Sequence, residues 1–304
     1  MGTRTRPVRN NRGMKLHIPP SWVVPLGLYE VHLRAADQAE TTIARRLGDL
    51  AQIAREVGPD GPHTITGSAL VAWAGEKVWA TETRRNRRAC ARGFWEWAIA
   101  NDFATENAGA ALPSVPAGTP NPRPVPDRVY NPAVATATPR VALMLELGAE
   151  LGLRRAEIAV IHVGRDLILD DDGYSLVVHG KGGSDVTLPV SDRLGRKIAA
   201  GAPGHSPLGG DSRTGWLFPG QDDGHLSPRR VGTLCAQQLQ AHQSPDEVRY
   251  TAHKLRHRFG TRILRRTKDI LTTRDAMRHR SVATTQIYCA SDRAAVRAAI
   301  NDAA

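Results

Sequence analysis

The chain has 304 residues, 41% of them hydrophobic, and sets 41 Lys and Arg against 30 Asp and Glu for a formal net charge of +11. That length suits one large or two medium domains with sizeable cores, and the charge points to a polyanionic partner, because each cation placed beside a phosphate releases condensed counterions. No stretch approaches the roughly 20 apolar residues of a membrane helix, the basic start "MGTRTRPVRNNRGMK" lacks the apolar run of a secretory signal, and Cys90, Cys235 and Cys289 lack paired spacing and read as free thiols in a reducing cytosol.

Residues 1–20 read as a disordered basic arm, with Arg4, Arg6, Arg9, Arg12 and Lys15 and few large apolar side chains. Such an arm either tracks DNA or is a solvated tail. Residues 21–112 read as a helical domain. In "TTIARRLGDLAQIAREV", Ile43, Leu47, Leu50, Ala54 and Val57 recur at steps of three and four, with Thr41 or Thr42 as the expected N-cap. "GPDGPH" breaks the chain. A third helix is predicted from Ser68 to Trp79 and a fourth over "TETRRNRRACARGFWEWAIAND". Arg84, Arg85, Arg87, Arg88 and Arg92 crowd the first half of the fourth, and Phe94, Trp95 and Trp97 root it in a small bundle. A basic helix anchored by aromatics suits contact with DNA; the plainer alternative is a charged solvent face.

Residues 113–131 carry prolines at 113, 116, 120, 122, 124 and 126, which favour an extended, semi-rigid connector. The second domain is expected over 132–304. It opens near Pro132 with an apolar helix holding Val141, Leu143, Leu145, Leu147 and Leu151. Short strands are predicted at Leu167–Leu169, Ser175–Val178 and Asp185–Val190, with mostly helix after Ser191. The fold class is therefore mainly α with a small antiparallel sheet, an α+β arrangement.

Four stretches of the second domain carry groups suited to chemistry. "LGLRRAE" sets Arg154 three residues before Glu157, which alone is an ordinary helical ion pair. "HGKGGSD" places Lys181 in a glycine turn, without the spacing or the following helix of a P-loop. "TAHKLRHRFGTRI" holds His253, Arg256 and His257; the two histidines fall at i, i+4, but the Glu of a zinc-protease motif and a third ligand are missing, so no metal site is assigned. "RHRSVATTQIY" puts Tyr288 nine residues after His279.

Taken in order, "GLRRAE", "GKGG", "HKLRH" and "RHRSVATTQIY" resemble the tyrosine recombinase (phage integrase) family, most strongly over the second domain, with the first resembling that family's core-binding domain. The resemblance implies a site made of Arg154, Lys181, His253, Arg256, His279 and the nucleophile Tyr288, with Glu157 in support. It implies a metal- and ATP-independent strand transfer that needs no cofactor. A tyrosine phenol attacks phosphorus and later leaves, and two guanidinium groups hold the phosphoryl charge. It further implies a site-specific recombinase integrating or excising phage DNA at core attachment sites, with double-stranded DNA as partner and a 3′-phosphotyrosine intermediate. The resemblance implies, too, a homotetramer at synapsis through a C-terminal helix over "SDRAAVRAAIN", a directionality factor as a candidate partner, and the bacterial cytoplasm as compartment. Only about twenty residues precede the first domain, so binding to core sites alone is expected. The final "DAA" resembles bacterial degradation tags, with ordinary fraying the plainer reading. The rivals are a relaxing type IB topoisomerase and a DNA-binding regulator without catalysis. A magnesium nuclease has only "DDD" at 170–172 to offer. Two departures stand out: Leu151 where the family usually has Thr, and Arg278 where it usually has Gly.

Overall fold

The computed structural model describes residues 17–118, 123–180, 183–201, 215–279, 281–286 and 301. The basic arm up to residue 16, Lys181, Tyr288, Cys289 and all but Asn301 of the expected C-terminal helix lie outside the described residues. The chain divides into two compact units, Met1–Thr119 and Pro120–Ala304, mainly helical with a small antiparallel sheet. No described helix is long and apolar enough to cross a membrane.

The first unit holds α1 (Pro20–Ala35), α2 (Glu40–Glu56), α3 (Gly67–Glu76) and α4 (Thr81–Ile99). Trp22, Leu26, Tyr29 and Leu33 line one face of α1, and Ile43, Leu47, Leu50 and Ala54 line one face of α2; all are buried. Trp22 stacks on Phe94 of α4 at 5.5 Å, and its indole N–H donates to the Gly58 carbonyl at 2.8 Å. That satisfies the one polar atom of a fully buried ring. α2 starts earlier than a Thr cap requires: Ala39 is its N-cap, no side chain caps it, and Glu40 brings a carboxylate to the positive helix end. α3 ends at Glu76, short of Trp79, and Thr66 caps it by accepting the Ala69 N–H at 3.2 Å.

The second unit opens with α5 (Asp127–Thr136) and α6 (Pro139–Glu150). The start expected at Pro132 falls inside α5, so this helix begins within the stretch read as a linker. Tertiary packing overrides the proline-rich pattern there. Val125 and Val129 are buried, and Arg258 donates to the Val125 carbonyl at 2.9 Å and pairs with Asp127. α7 (Arg155–Ala159) and α8 (Val163–Asp166) lead into β1 (Leu167–Asp170), β2 (Gly173–His179) and β3 (Asp185–Val190). These form one antiparallel sheet in the order β1-β2-β3, with Leu167 opposite Leu176 and Val178 opposite Val186. The acidic run at 170–172 sits at the β1–β2 turn, where the Asp172 N–H donates to the Asp170 carboxylate at 3.0 Å. Leu176 and Val178 turn inward, near Leu194 and Ile198 of α9 (Asp192–Ala200) in one core. A short strand, β4 (Pro219–Asp222), interrupts the helical pattern expected after Ser191. Then come α10 (Pro228–Gln240), α11 (Ala252–Thr267), α12 (Ile270–Met277) and α13 (Val282–Thr285). α6 and α11 pack closely because Gly148 has no side chain: a Cβ there would lie 3.1 Å from Leu255.

Candidate active site

α6 ends in a left-handed turn that aims the next residues. Gly152 has φ +62°, and the Leu153 N–H returns to the Leu147 carbonyl at 3.3 Å, closing the helix end. A Cβ on Gly152 would lie 2.4 Å from the Phe259 ring, so glycine is required there twice over, by backbone and by space. Two residues on, Arg154 occupies the N-cap of α7. Glu157 reaches back to it: one carboxylate oxygen accepts the Arg154 backbone N–H at 2.8 Å and the other accepts Nη1 at 2.6 Å. Glu157 is buried while Arg154 stays partly exposed, so the carboxylate fixes the guanidinium and leaves part of it open to solvent.

α11 supplies the next groups on adjacent turns. Arg256 is buried and donates to the Gly152 carbonyl and to the Met277 carbonyl, tying the α6 turn to the end of α12. His253, one turn earlier, sits at the solvent edge with its ring 4.6 Å from His257 in an edge-to-face pair. Crowding by neighbouring atoms, then the cations Arg256, Lys254, Arg154 and Arg155, lowers the His253 pKa. Burial, followed by the nearby imidazole and cations, pushes His257 down to about 4. His279 follows α12; its Nδ1 lies 3.0 Å from the buried Thr285 hydroxyl of α13. Burial first, then Arg256, Arg154 and Arg278, push its pKa down to about 4.

Arg154, His253 and Arg256 line one cleft of ≈ 740 Å³ together with Arg155, Arg229 and Thr233. Of the six residues expected to react, the described structure thus brings Arg154, His253 and Arg256 to one surface and sets His279 beside them. Beyond the last β2–β3 pair the Gly180 N–H donates to the Ser184 carbonyl at 3.0 Å; Lys181 lies outside the described residues. A cleft with convergent guanidinium groups and neutral imidazoles is built to take a phosphate and to pass protons beside it.

Residues 128–294 match the model of the phage integrase family. The chain belongs to that family. Among its relatives are tyrosine recombinase XerD of Caulobacter vibrioides, 28% identical over 86% of this chain and 89% of that protein, and tyrosine recombinase XerC of Xanthomonas campestris pv. campestris, 31% identical over 67% and 62%. The latter alignment spans less than two thirds of the relative's length. The fold is that of a lambda integrase fragment (75–356) solved as a dimer bound to a core site: TM-score 0.67, 18% identity, covering 87% of this chain and 94% of that one. As a tyrosine recombinase this family member is a DNA strand-transferring enzyme.

The five arginines of α4 in this family member have divided duties. Arg84 donates to the Ala74 carbonyl, Arg88 to the Leu112 carbonyl, and Arg87 to Gln52 while its guanidinium stacks on Trp79 at 4.3 Å. Those three hold the first unit together, whereas Arg85 and Arg92 are exposed, Arg85 in an i, i+3 pair with Glu82. Sequence reasoning assigned no role to two cleft residues, Arg155, the second arginine of "GLRRAE", and Arg229, which lies in no motif. Arg155 was in plain view beside Arg154, but only α10 packing onto α7 reveals Arg229. Arg278 was noted as a departure without a chemical role; its side chain reaches Glu157 at 2.9 Å.

Proposed function

We propose that this enzyme is a site-specific recombinase that cuts and rejoins double-stranded DNA at core attachment sites through a 3′-phosphotyrosine on Tyr288, integrating or excising phage DNA. The observation that supports it most is the convergence of Arg154, His253 and Arg256 on one cleft, with His279 alongside. In this reading Arg154 and Arg256 fork onto the non-bridging oxygens of the scissile phosphate. The Tyr288 phenol oxygen forms a bond to phosphorus as the bond to the 5′ oxygen breaks. His253, kept neutral by its surroundings, accepts the phenol proton, and Lys181 of the "GKGG" stretch gives a proton to the departing oxygen. The Thr285 hydroxyl lies 3.0 Å from Nδ1 of His279; with that hydroxyl as the donor, Nε2–H is left to face the phosphate. Glu157 holds Arg154 and transfers no proton. Attack by the 5′-hydroxyl of a partner strand reverses the chemistry, so neither ATP nor a metal enters the balance.

On this reading the first unit grips DNA through Arg85 and Arg92 on α4. Four copies assemble through their C-terminal helices, a directionality factor biases the direction, and the reaction takes place in the host cytoplasm. The likeness to the XerD and XerC proteins supports a second reading, recombination of the host's own DNA. A nicked suicide substrate tests the chemistry: the wild-type chain traps a covalent protein–DNA adduct in EDTA, and Tyr288→Phe does not. An adduct that persists in the Phe variant moves the nucleophile elsewhere. Recombination of supplied phage and host attachment sites, against sites taken from one chromosome, separates the two readings.

A further inference from the structure

Arg278 occupies a position that its type makes costly. It ends α12 with φ +54° and ψ +46°, the left-handed region where glycine is at ease and a Cβ is not. Its side chain is nine-tenths buried, yet Nε and Nη1 have no hydrogen-bond partner among the described residues. A buried cation with unmatched donors is a second local cost. Backbone strain together with unmet donors at the edge of an active site points to a gain in function, not in stability.

The remaining nitrogen shows where that gain lies. Nη2 donates to Glu157 at 2.9 Å and to the Gly152 carbonyl at 3.4 Å. Glu157 is the carboxylate that holds Arg154, and the Gly152 carbonyl is one of the two that hold Arg256. Arg278 therefore touches both acceptors that orient the two clamp arginines. It is also the residue before His279, whose N–H is fixed by the Arg274 carbonyl at 3.0 Å in the same helix end. The Glu157 oxygen that Arg278 shares is the one that also accepts the Arg154 backbone N–H. With that oxygen occupied, Arg154 keeps a single side-chain bond to Glu157, through Nη1, and its other edge is left for a ligand.

We infer that Arg278 is a positioning residue for strand cleavage: by bridging Glu157 and the Gly152 carbonyl it locks the His279 turn to the turn that presents Arg154, so that both meet the same phosphate in register. The inference rests on the reading of Arg154 and His279 as phosphate-holding groups. The groups that face His279 are Arg256, His253 and His257 of α11, Arg154 at the head of α7, and Arg278 itself. Removing Arg278 takes away one cation and loosens the turn.

Two measurements on the full chain decide it. The first follows the His279 imidazole by NMR without DNA, in wild type, Arg278→Gly and Arg278→Lys. Glycine suits the left-handed backbone, so the fold is kept; the His279 midpoint should rise in the Gly variant and stay in the Lys variant. A midpoint that the Gly variant does not move overturns the inference. The second is single-turnover adduct formation on the nicked substrate. Arg278→Gly should slow it on the order of 100-fold, the scale of a misplaced catalytic group, with DNA affinity retained and part of the rate restored by Lys. Glu157→Gln combined with Arg278→Gly should be no slower than the slower single variant. Cleavage by Arg278→Gly at the wild-type rate, or losses that multiply in the double variant, would also overturn it. Should wild type itself form no adduct, the functional reading fails and the titration alone judges the Arg278 bridge.

Discussion

Replacing Gly152 with alanine tests the turn on which the whole site hangs. Two penalties are separable. A Cβ at φ +62° costs about 1–2 kcal/mol for the left-handed backbone alone. The same Cβ would sit 2.4 Å from the Phe259 ring, and relieving that overlap costs a further ~1–3 kcal/mol. Together the loss is about 2–5 kcal/mol, a large share of the ~5–15 kcal/mol that holds a domain folded. Gly183 is the control: its φ is +72° but a Cβ there meets nothing within 4 Å among the described residues, so Gly183→Ala is expected to carry the backbone penalty alone. Urea denaturation of the two variants, monitored on the transition of the second unit, measures the difference. Gly152→Ala should also slow adduct formation, because the Gly152 carbonyl anchors Arg256 and Arg278. Equal destabilisation by the two substitutions would refute the steric argument, and wild-type stability of Gly152→Ala would refute both parts.

Two further outcomes follow from charge. His179 lies between Asp166 and Asp185, 3.0 Å from each, and its pKa is raised, first by the hydrogen bond to Asp166. A raised folded pKa adds stability that is whole below the ordinary histidine value of about 6.5 and fades as pH climbs through the folded value. The stability gap between wild type and His179→Gln should therefore be widest in mild acid and close in alkali; a gap independent of pH would disprove the pairing. Arg258 is buried, donates to the Val125 carbonyl, pairs with Asp127 and lies 4.3 Å over the Tyr130 ring. Arg258→Leu should cost about 3 kcal/mol in urea titrations, the loss of charge-assisted bonds and a cation–π contact. Arg258→Lys should recover only part, since one ammonium does not span both acceptors; full recovery would show that charge alone matters.

What the amino-acid order revealed depended on range. The α2 stripe is written in steps of three and four; Ile43, Leu47, Leu50 and Ala54 are buried as read, whereas Val57 falls at the C-cap and is only half-buried. The three strands were legible because their alternation and turn residues are local. Helix ends were less so: Thr41 and Thr42 offered a cap that the backbone did not use, because Glu40 already supplied a favourable charge one residue earlier. Pro132 was read as the start of the second domain, but long-range bonds from Arg258 to Val125 and Asp127 start α5 earlier in the chain. Within the site, Arg154, Glu157, His253 and Arg256 were visible as spaced motifs. Arg229 was not, since it reaches the cleft only through the packing of α10 on α7. Nor could order alone show that Arg84, Arg87 and Arg88 spend their donors inside the first unit.

The early onset of α5 matters to anyone wishing to work with the catalytic half by itself. Val125 is almost wholly sheltered from solvent, and its N–H reaches the Lys254 carbonyl at 3.5 Å, on the helix that bears His253 and Arg256. Trimming back to Pro132 would strip away that brace and leave Arg258 without its two acceptors. A protease that nicks between residues 113 and 118 would spare the brace, so a fragment released there is the natural one to purify.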